Sequence, residues 1–201
     1  MKLSIFSFSA IVLVLYSCSP KVYPPFKAQY SYTFGKSSEL TGELAGNFHY
    51  TVLSNSTYTF LNATVTEIPY ESNVNYILDG PESLVMNNNG VIFSKQENKS
   101  YKYLPVELTN TGIDYKINGY NTILFTTKNN DSLYLSKKLD YHINPFLLGK
   151  ESIVYGLVKA RMRDGGVFVL DSIIKIKNSD LPEPEANKFS DFTIKGNPFF
   201  Q

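Results

Sequence analysis

The stretch Val158-Lys159-Ala160-Arg161-Met162-Arg163-Asp164-Gly165-Gly166-Val167-Phe168-Val169-Leu170 decides the fold class. From Val158 to Arg163, apolar and cationic residues alternate without exception. Successive side chains of a strand point to opposite faces, so this period of two describes a half-buried β-strand. Asp164-Gly165-Gly166 supplies a turn, and Val167 to Lys177 returns as the partner strand. A helical stripe through Ile153, Val154, Leu157 and Val158 competes for residues 151–162. The Lys/Arg alternation has the strand period, so strand is the expectation for 157–163.

Working outward, the same pattern recurs. Lys27 to Phe34 alternates, with Ala28, Tyr30, Tyr32 and Phe34 on one face. Glu39 to Leu53 is apolar at intervals, at Leu40, Leu44, Phe48, Tyr50 and Val52, and is broken by Gly42 and Gly46, which suits a bulged or bent strand. Tyr58 to Ile68, Val74 to Leu78, Ser83 to Met86, Val91 to Ser94 and Ser100 to Leu104 read as further strands. So do Ile113 to Ile117, Thr122 to Thr126 and Ser132 to Leu135. Asp79-Gly80-Pro81 marks a turn, while Asn89-Gly90 and Asn118-Gly119 mark hairpins, because Asn and Gly tolerate the positive φ that tight hairpins require. Asn144-Pro145-Phe146-Leu147-Leu148 is expected to open a short helix, with Asn144 as cap and Pro145 at the first helical position. Leu181 to Glu185 is acidic and proline-bearing, and is expected to run extended.

Composition agrees. Fifteen Tyr and fourteen Phe, with no Trp, favour pleated, half-buried surfaces. The fold class expected is all-β: a single antiparallel domain, built as a curved sheet, half-barrel or sandwich, after an N-terminal signal helix. Residues 1–17 are expected to be a signal peptide, 18–26 a tether and 27–201 the β-rich domain.

The N-terminus sets the expected location. Lys2 precedes an apolar run from Ile5 to Tyr16, too short to anchor a bilayer-spanning helix and suited to a secretory signal. Leu15-Tyr16-Ser17-Cys18 resembles the lipobox of bacterial lipoproteins. That resemblance implies cleavage before Cys18 and attachment of a diacylglycerol to its thiol, with palmitate among the fatty acids carried. Cys18 is the sole cysteine, so no disulfide competes for it. The proline-bearing Ser19 to Pro25 suits a tether. Ser19 after the cysteine resembles proteins sorted to the outer membrane, which implies a lipid-anchored, periplasm-facing domain. The asparagine- and aromatic-rich style is similar to lipoproteins of the Bacteroidetes. Asp79 to Met86, Asn144 to Leu148 and Phe189 to Phe192 resemble the lipoprotein-carrier (Lol-type) superfamily, which implies an open half-barrel around an apolar cavity.

Charge narrows the partners. The chain carries 19 Lys and Arg against 18 Asp and Glu. Removing Lys2 with the signal leaves the two in balance. Such a chain lacks the basic excess that nucleic acid or an anionic membrane surface attracts, so the lipid must do the anchoring. Residues with catalytic potential are sparse. His49 and His142 are far apart in sequence and no metal-ligand spacing occurs, so neither a metal nor a cofactor is expected. Asp140 and His142 form a pair at i and i+2, and Glu67 and Glu71 flank Pro69, but no G-x-S-x-G elbow or phosphate-cradling glycine loop is present. No enzyme activity is expected. Lys159, Arg161 and Arg163, with Lys175 and Lys177 on the return strand, make either a cationic patch or a solvated face. Tyr30, Tyr32, Phe34, Tyr58, Phe60, Tyr101 and Tyr103 line either a ligand cavity or a filled core. Two function classes follow: an anchored binder of a lipid or other hydrophobic ligand in a β cavity, or a structural and interaction subunit of an envelope complex. An open cavity favours the first and a filled core with exposed apolar residues favours the second.

Overall fold

A computed structural model describes residues 24–33, 47–55, 57–67, 83–87 and 89–200. Cys18, the signal peptide, most of the tether, Phe34, Glu71, Pro69, the expected strand 74–78 and the turn 79–81 lie outside the described residues. The chain is all-β, with twelve strands in one curved sheet. They are β1 (Phe26–Thr33), β2 (Asn47–Ser54), β3 (Tyr58–Glu67), β4 (Ser83–Asn87), β5 (Val91–Ser94), β6 (Lys99–Tyr103), β7 (Leu108–Ile117), β8 (Tyr120–Thr127), β9 (Ser132–Ser136), β10 (Gly156–Arg161), β11 (Val167–Lys175) and β12 (Thr193–Lys195). The spatial order is β12-β6-β5-β4-β3-β2-β1-β11-β10-β9-β8-β7. All pairings are antiparallel except β12 with β6.

The connectivity forces the curl. β6 and β7 follow each other in the chain, yet ten strand spacings separate them in the sheet order. Laid flat, that is roughly 48 Å. The link from Tyr103 to Leu108 reaches no further than about 18 Å. The sheet therefore bends until its two ends approach, without closing into a barrel. Bulges help the bend: the register slips between Gln29 and Tyr30, between Leu157 and Lys159, and between Asn110 and Asp114.

The strand that decided the fold class behaves as its alternation requires. Ala160 and Met162 are buried, while Arg161 and Arg163 are exposed. One continuous row of concave side chains runs through the core: Phe48, Tyr32, Phe168, Ala160 and Leu133 stand opposite one another on successive strands, with Tyr30, Leu170 and Leu135 beside them. On β3 to β5 the convex face is buried too. Phe60, Val85 and Phe93 form a cross-strand row there. The C-terminal segment covers it, with Phe189 packed on Tyr58 at 6.0 Å between ring centres and Lys188 Nζ 5.6 Å above the Phe93 ring. Burial on both faces explains why Leu84-Val85-Met86 and Val91-Ile92-Phe93 are unbroken apolar runs.

The expected helix at Asn144 is not formed. Asn144 instead closes a tight loop with its own side chain: Leu148 N–H donates to Asn144 Oδ1 at 2.9 Å, and Asn144 Nδ2 donates to Tyr141 O at 2.6 Å. Leu181 to Glu185 carries no helix, and Leu181 is extended at φ −90° and ψ 137°. Asn178–Asp180 and Ala186–Phe189 on either side are 3₁₀ turns, and Thr193–Lys195 joins the sheet.

Candidate functional site

In a half-barrel the concave face is the natural ligand site, and here the chain fills it with its own residues. The loop 137–155 leaves β9, crosses the concavity and returns to β10. Ile143, Phe146, Leu147, Leu148 and Ile153 from this loop are all buried in the core. Phe146 is fully buried, with ring centres 4.7 Å from Phe168 and 5.1 Å from each of Phe199 and Phe200. Phe168 in turn stacks on Tyr32 at 4.1 Å.

Polar groups fix this plug to the sheet. Tyr30 Oη lies 2.7 Å from Leu157 O and 3.0 Å from Ile143 O, and its one proton serves the two carbonyls in turn. Asn197 Nδ2 donates to Phe146 O at 3.2 Å, tying the C-terminus to the plug. Leu147 sits in the left-handed region at φ 51°, a conformation that costs an L-residue about 1–2 kcal/mol. Its burial to 2 % exposure offsets that cost. Burial also pushes the Tyr30 and Tyr32 phenols well above their usual pKa, with Tyr120 adding to the first and Asp164 and Tyr50 to the second.

Tyr30, Tyr32 and Tyr101 therefore face a filled core, and Phe60 faces the convex side. Shallow grooves remain at the margins. One of about 350 Å³ runs beside Leu104, Pro105, Val106 and Phe200. One of about 530 Å³ lies between Phe93 and the strap Asn187–Thr193. A third, about 600 Å³, is lined by Asp114, Lys116, Lys137 and Lys138.

The sequence pair Asp140 and His142 does come together. His142 Nδ1 is 2.6 Å from Asp140 Oδ1, which also accepts the His142 backbone N–H at 2.8 Å. Both side chains are about 5 % exposed or less. Sealed from solvent in the turn that enters the plug, the pair acts as a brace. His49 is exposed on β2, opposite Ser31.

Register, which sequence spacing does not reveal, adds a third member there. Asp171, the extra residue of the β11 bulge, accepts the Ser31 hydroxyl at 2.6 Å, and His49 Nδ1 lies 3.5 Å from the same oxygen. The serine stands between carboxylate and imidazole and gives its proton to Asp171, so among these three described residues the nucleophile-activating order, with imidazole in the middle, is not formed. Among the described residues no group of three or more His, Cys, Asp or Glu is placed to hold a metal ion.

The cationic residues do not form one patch. Lys159 and Arg161 pair with Val169 and Val167, whereas Lys175 stands opposite Phe26. Lys175 is six positions beyond Val169, roughly 20 Å along the strand.

No protein-family model matches the chain, and no curated protein does. Among solved structures the chain is similar to PNGF-II in two crystal forms, space groups P21 and C2. The TM-scores are 0.52 and 0.51 at 18% identity in both. The likeness covers 87% of this chain and 32% or 31% of PNGF-II, so the chain spans about a third of that protein's length. At this identity the likeness is one of fold.

Proposed function

We propose that this protein is a non-catalytic envelope lipoprotein, held at the outer membrane by lipid on Cys18 and facing the periplasm, that works through its surface as an interaction subunit. One observation carries the choice between the two function classes. The concave face, where an apolar ligand would sit, is occupied by Phe146, Leu147, Leu148 and Phe200 of the same chain. Large apolar side chains stand instead on the outside, including Leu104, Ile113, Tyr115, Val154 and Ile194. Exposed apolar groups at sheet margins suit contact with another protein.

A second reading, an anchored binder of a lipid or other hydrophobic ligand, draws support from the groove beside Leu104, Val106 and Phe200. Its volume of about 350 Å³ falls at the low end for small-molecule sites.

The anchor is tested by expressing the full chain in bacterial cells with labelled palmitate. The unsubstituted chain takes up label and sediments with outer membranes. Cys18→Ser is unlabelled and leaves the membrane fraction. A Cys18→Ser chain that stays membrane-bound in equal amount overturns the anchor.

A further inference from the structure

The outer edge of β7 has no strand neighbour among the described residues, and Thr109 to Lys116 along it are all exposed. Such an edge presents unpaired N–H and C=O groups that readily accept another strand. The hairpin fixes which groups those are. Ile117 pairs with Tyr120 across Asn118-Gly119, whose φ values of 48° and 81° are those of a type I′ turn. Ile117 and Tyr120 then exchange both backbone bonds, Tyr115 and Thr122 do the same two residues on, and Asp114 and Lys116 aim theirs outward. Thr122 Oγ1, donating to Tyr115 O at 3.1 Å, agrees with that carbonyl facing β8.

We propose that this edge pairs antiparallel with β7 of a second copy about a two-fold axis at Tyr115. In that register Asp114 stands opposite Lys116 of the second copy, and Lys116 opposite its Asp114. These are the residues with outward backbone groups, so each pair exchanges both N–H···O bonds. On the other face Ile113 meets Ile117, and Tyr115 meets its own equivalent. A shift of the axis to Asp114 or to Lys116 sets like charges directly opposite, which is unfavourable. Lys137 and Lys138 line the same groove as Asp114 and Lys116, which further disfavours a lysine-on-lysine register. The edge is thus self-complementary in one register, as a two-fold contact requires.

The bulge limits its length. Gly112 N–H donates to Asn110 Oδ1, and Thr111 Oγ1 donates to Leu124 O, each at 2.9 Å. Pairing is confined to residues 113–117, a short contact of reversible character. The inference goes beyond the proposed function; its crosslinking test rests on lipid occupying the Cys18 thiol, which the palmitate labelling checks separately.

The test is oxidative crosslinking of the full chain in bacterial membranes. Tyr115 and its equivalent form a non-hydrogen-bonded pair, with Cα atoms about 4.5 Å apart, within the roughly 4.4–6.8 Å that a disulfide spans. Tyr115→Cys gives a disulfide-linked dimer, whereas Thr109→Cys and the unsubstituted chain do not. In the Tyr115→Cys background, Asp114→Lys or Lys116→Asp alone lowers the dimer roughly tenfold by placing like charges opposite. The double swap Asp114→Lys with Lys116→Asp restores it. No more dimer from Tyr115→Cys than from the unsubstituted chain overturns the proposal, and so does a double swap as poor as the single ones.

Discussion

Replacing Phe146 by alanine is the sharpest probe of the filled concavity. The ring is fully buried and touches Phe168, Phe199 and Phe200, so truncation opens a hole walled on three sides by aromatic rings. Phe→Ala at such a position costs about 3–5 kcal/mol. Against a total stability of about 5–15 kcal/mol, that is a large share. For a domain of this size each kcal/mol moves Tm by about 2–4 °C, so a fall of roughly 6–20 °C is expected. Urea unfolding followed by tyrosine fluorescence measures the loss directly, since the chain has no tryptophan. Phe192→Ala is the matched control: its ring is 45% exposed, and the change should stay within about 0.5 kcal/mol. A loss below about 1 kcal/mol for Phe146→Ala would refute the reasoning. It would mean that the 137–155 loop rests loosely on the sheet and that the concave face is available to a ligand.

Three further outcomes are expected. Tyr30→Phe removes the hydroxyl shared by Leu157 O and Ile143 O and should cost about 1–2 kcal/mol in the same urea assay; a change within error contradicts the bracing role. Stability should be flat up to about pH 9 and fall above about pH 10. There the unfolded chain releases tyrosine protons that burial makes Tyr30 and Tyr32 retain, so the unfolded state binds fewer protons and gains. The urea midpoint against pH reads this, and a slope unaltered by Tyr32→Phe speaks against it. Gly156→Ala should lower Tm, because a Cβ there would lie 2.4 Å from Leu139 Cβ and 2.6 Å from Asp140 O, an overpacking worth about 1–3 kcal/mol. An unchanged melting curve would show that the turn entering the plug yields freely.

The strands were legible because their side chains obey a period of two that one buried face imposes. Val158 to Arg163 and Lys27 to Thr33 carry that period, and Asn118-Gly119 fixed its hairpin through a backbone preference that is local. The plug was not legible for the same reason in reverse. Asn144-Pro145 has the local chemistry of a helix start, but Asn144 spends its side chain on Leu148 N–H and Tyr141 O, and Phe146 is drawn into the sheet by non-local aromatic contacts. The C-terminal strand β12 was hidden by exposure. Thr193, Ile194 and Lys195 are all exposed, so no face selects an alternation. The Ser31, His49 and Asp171 cluster depends on strand register and a bulge, and residues 18 and 122 positions or more apart in the chain give no spacing to read.

The central claim is that the domain carries its own filling and works through its surface. Native mass spectrometry of residues 19–201, prepared from bacterial cells without detergent, tests it most directly. The account predicts the mass of the bare polypeptide, alone or as a multiple of itself. A tightly held lipid or other apolar molecule adding to that mass would contradict it and return the concave face to the role of a ligand site.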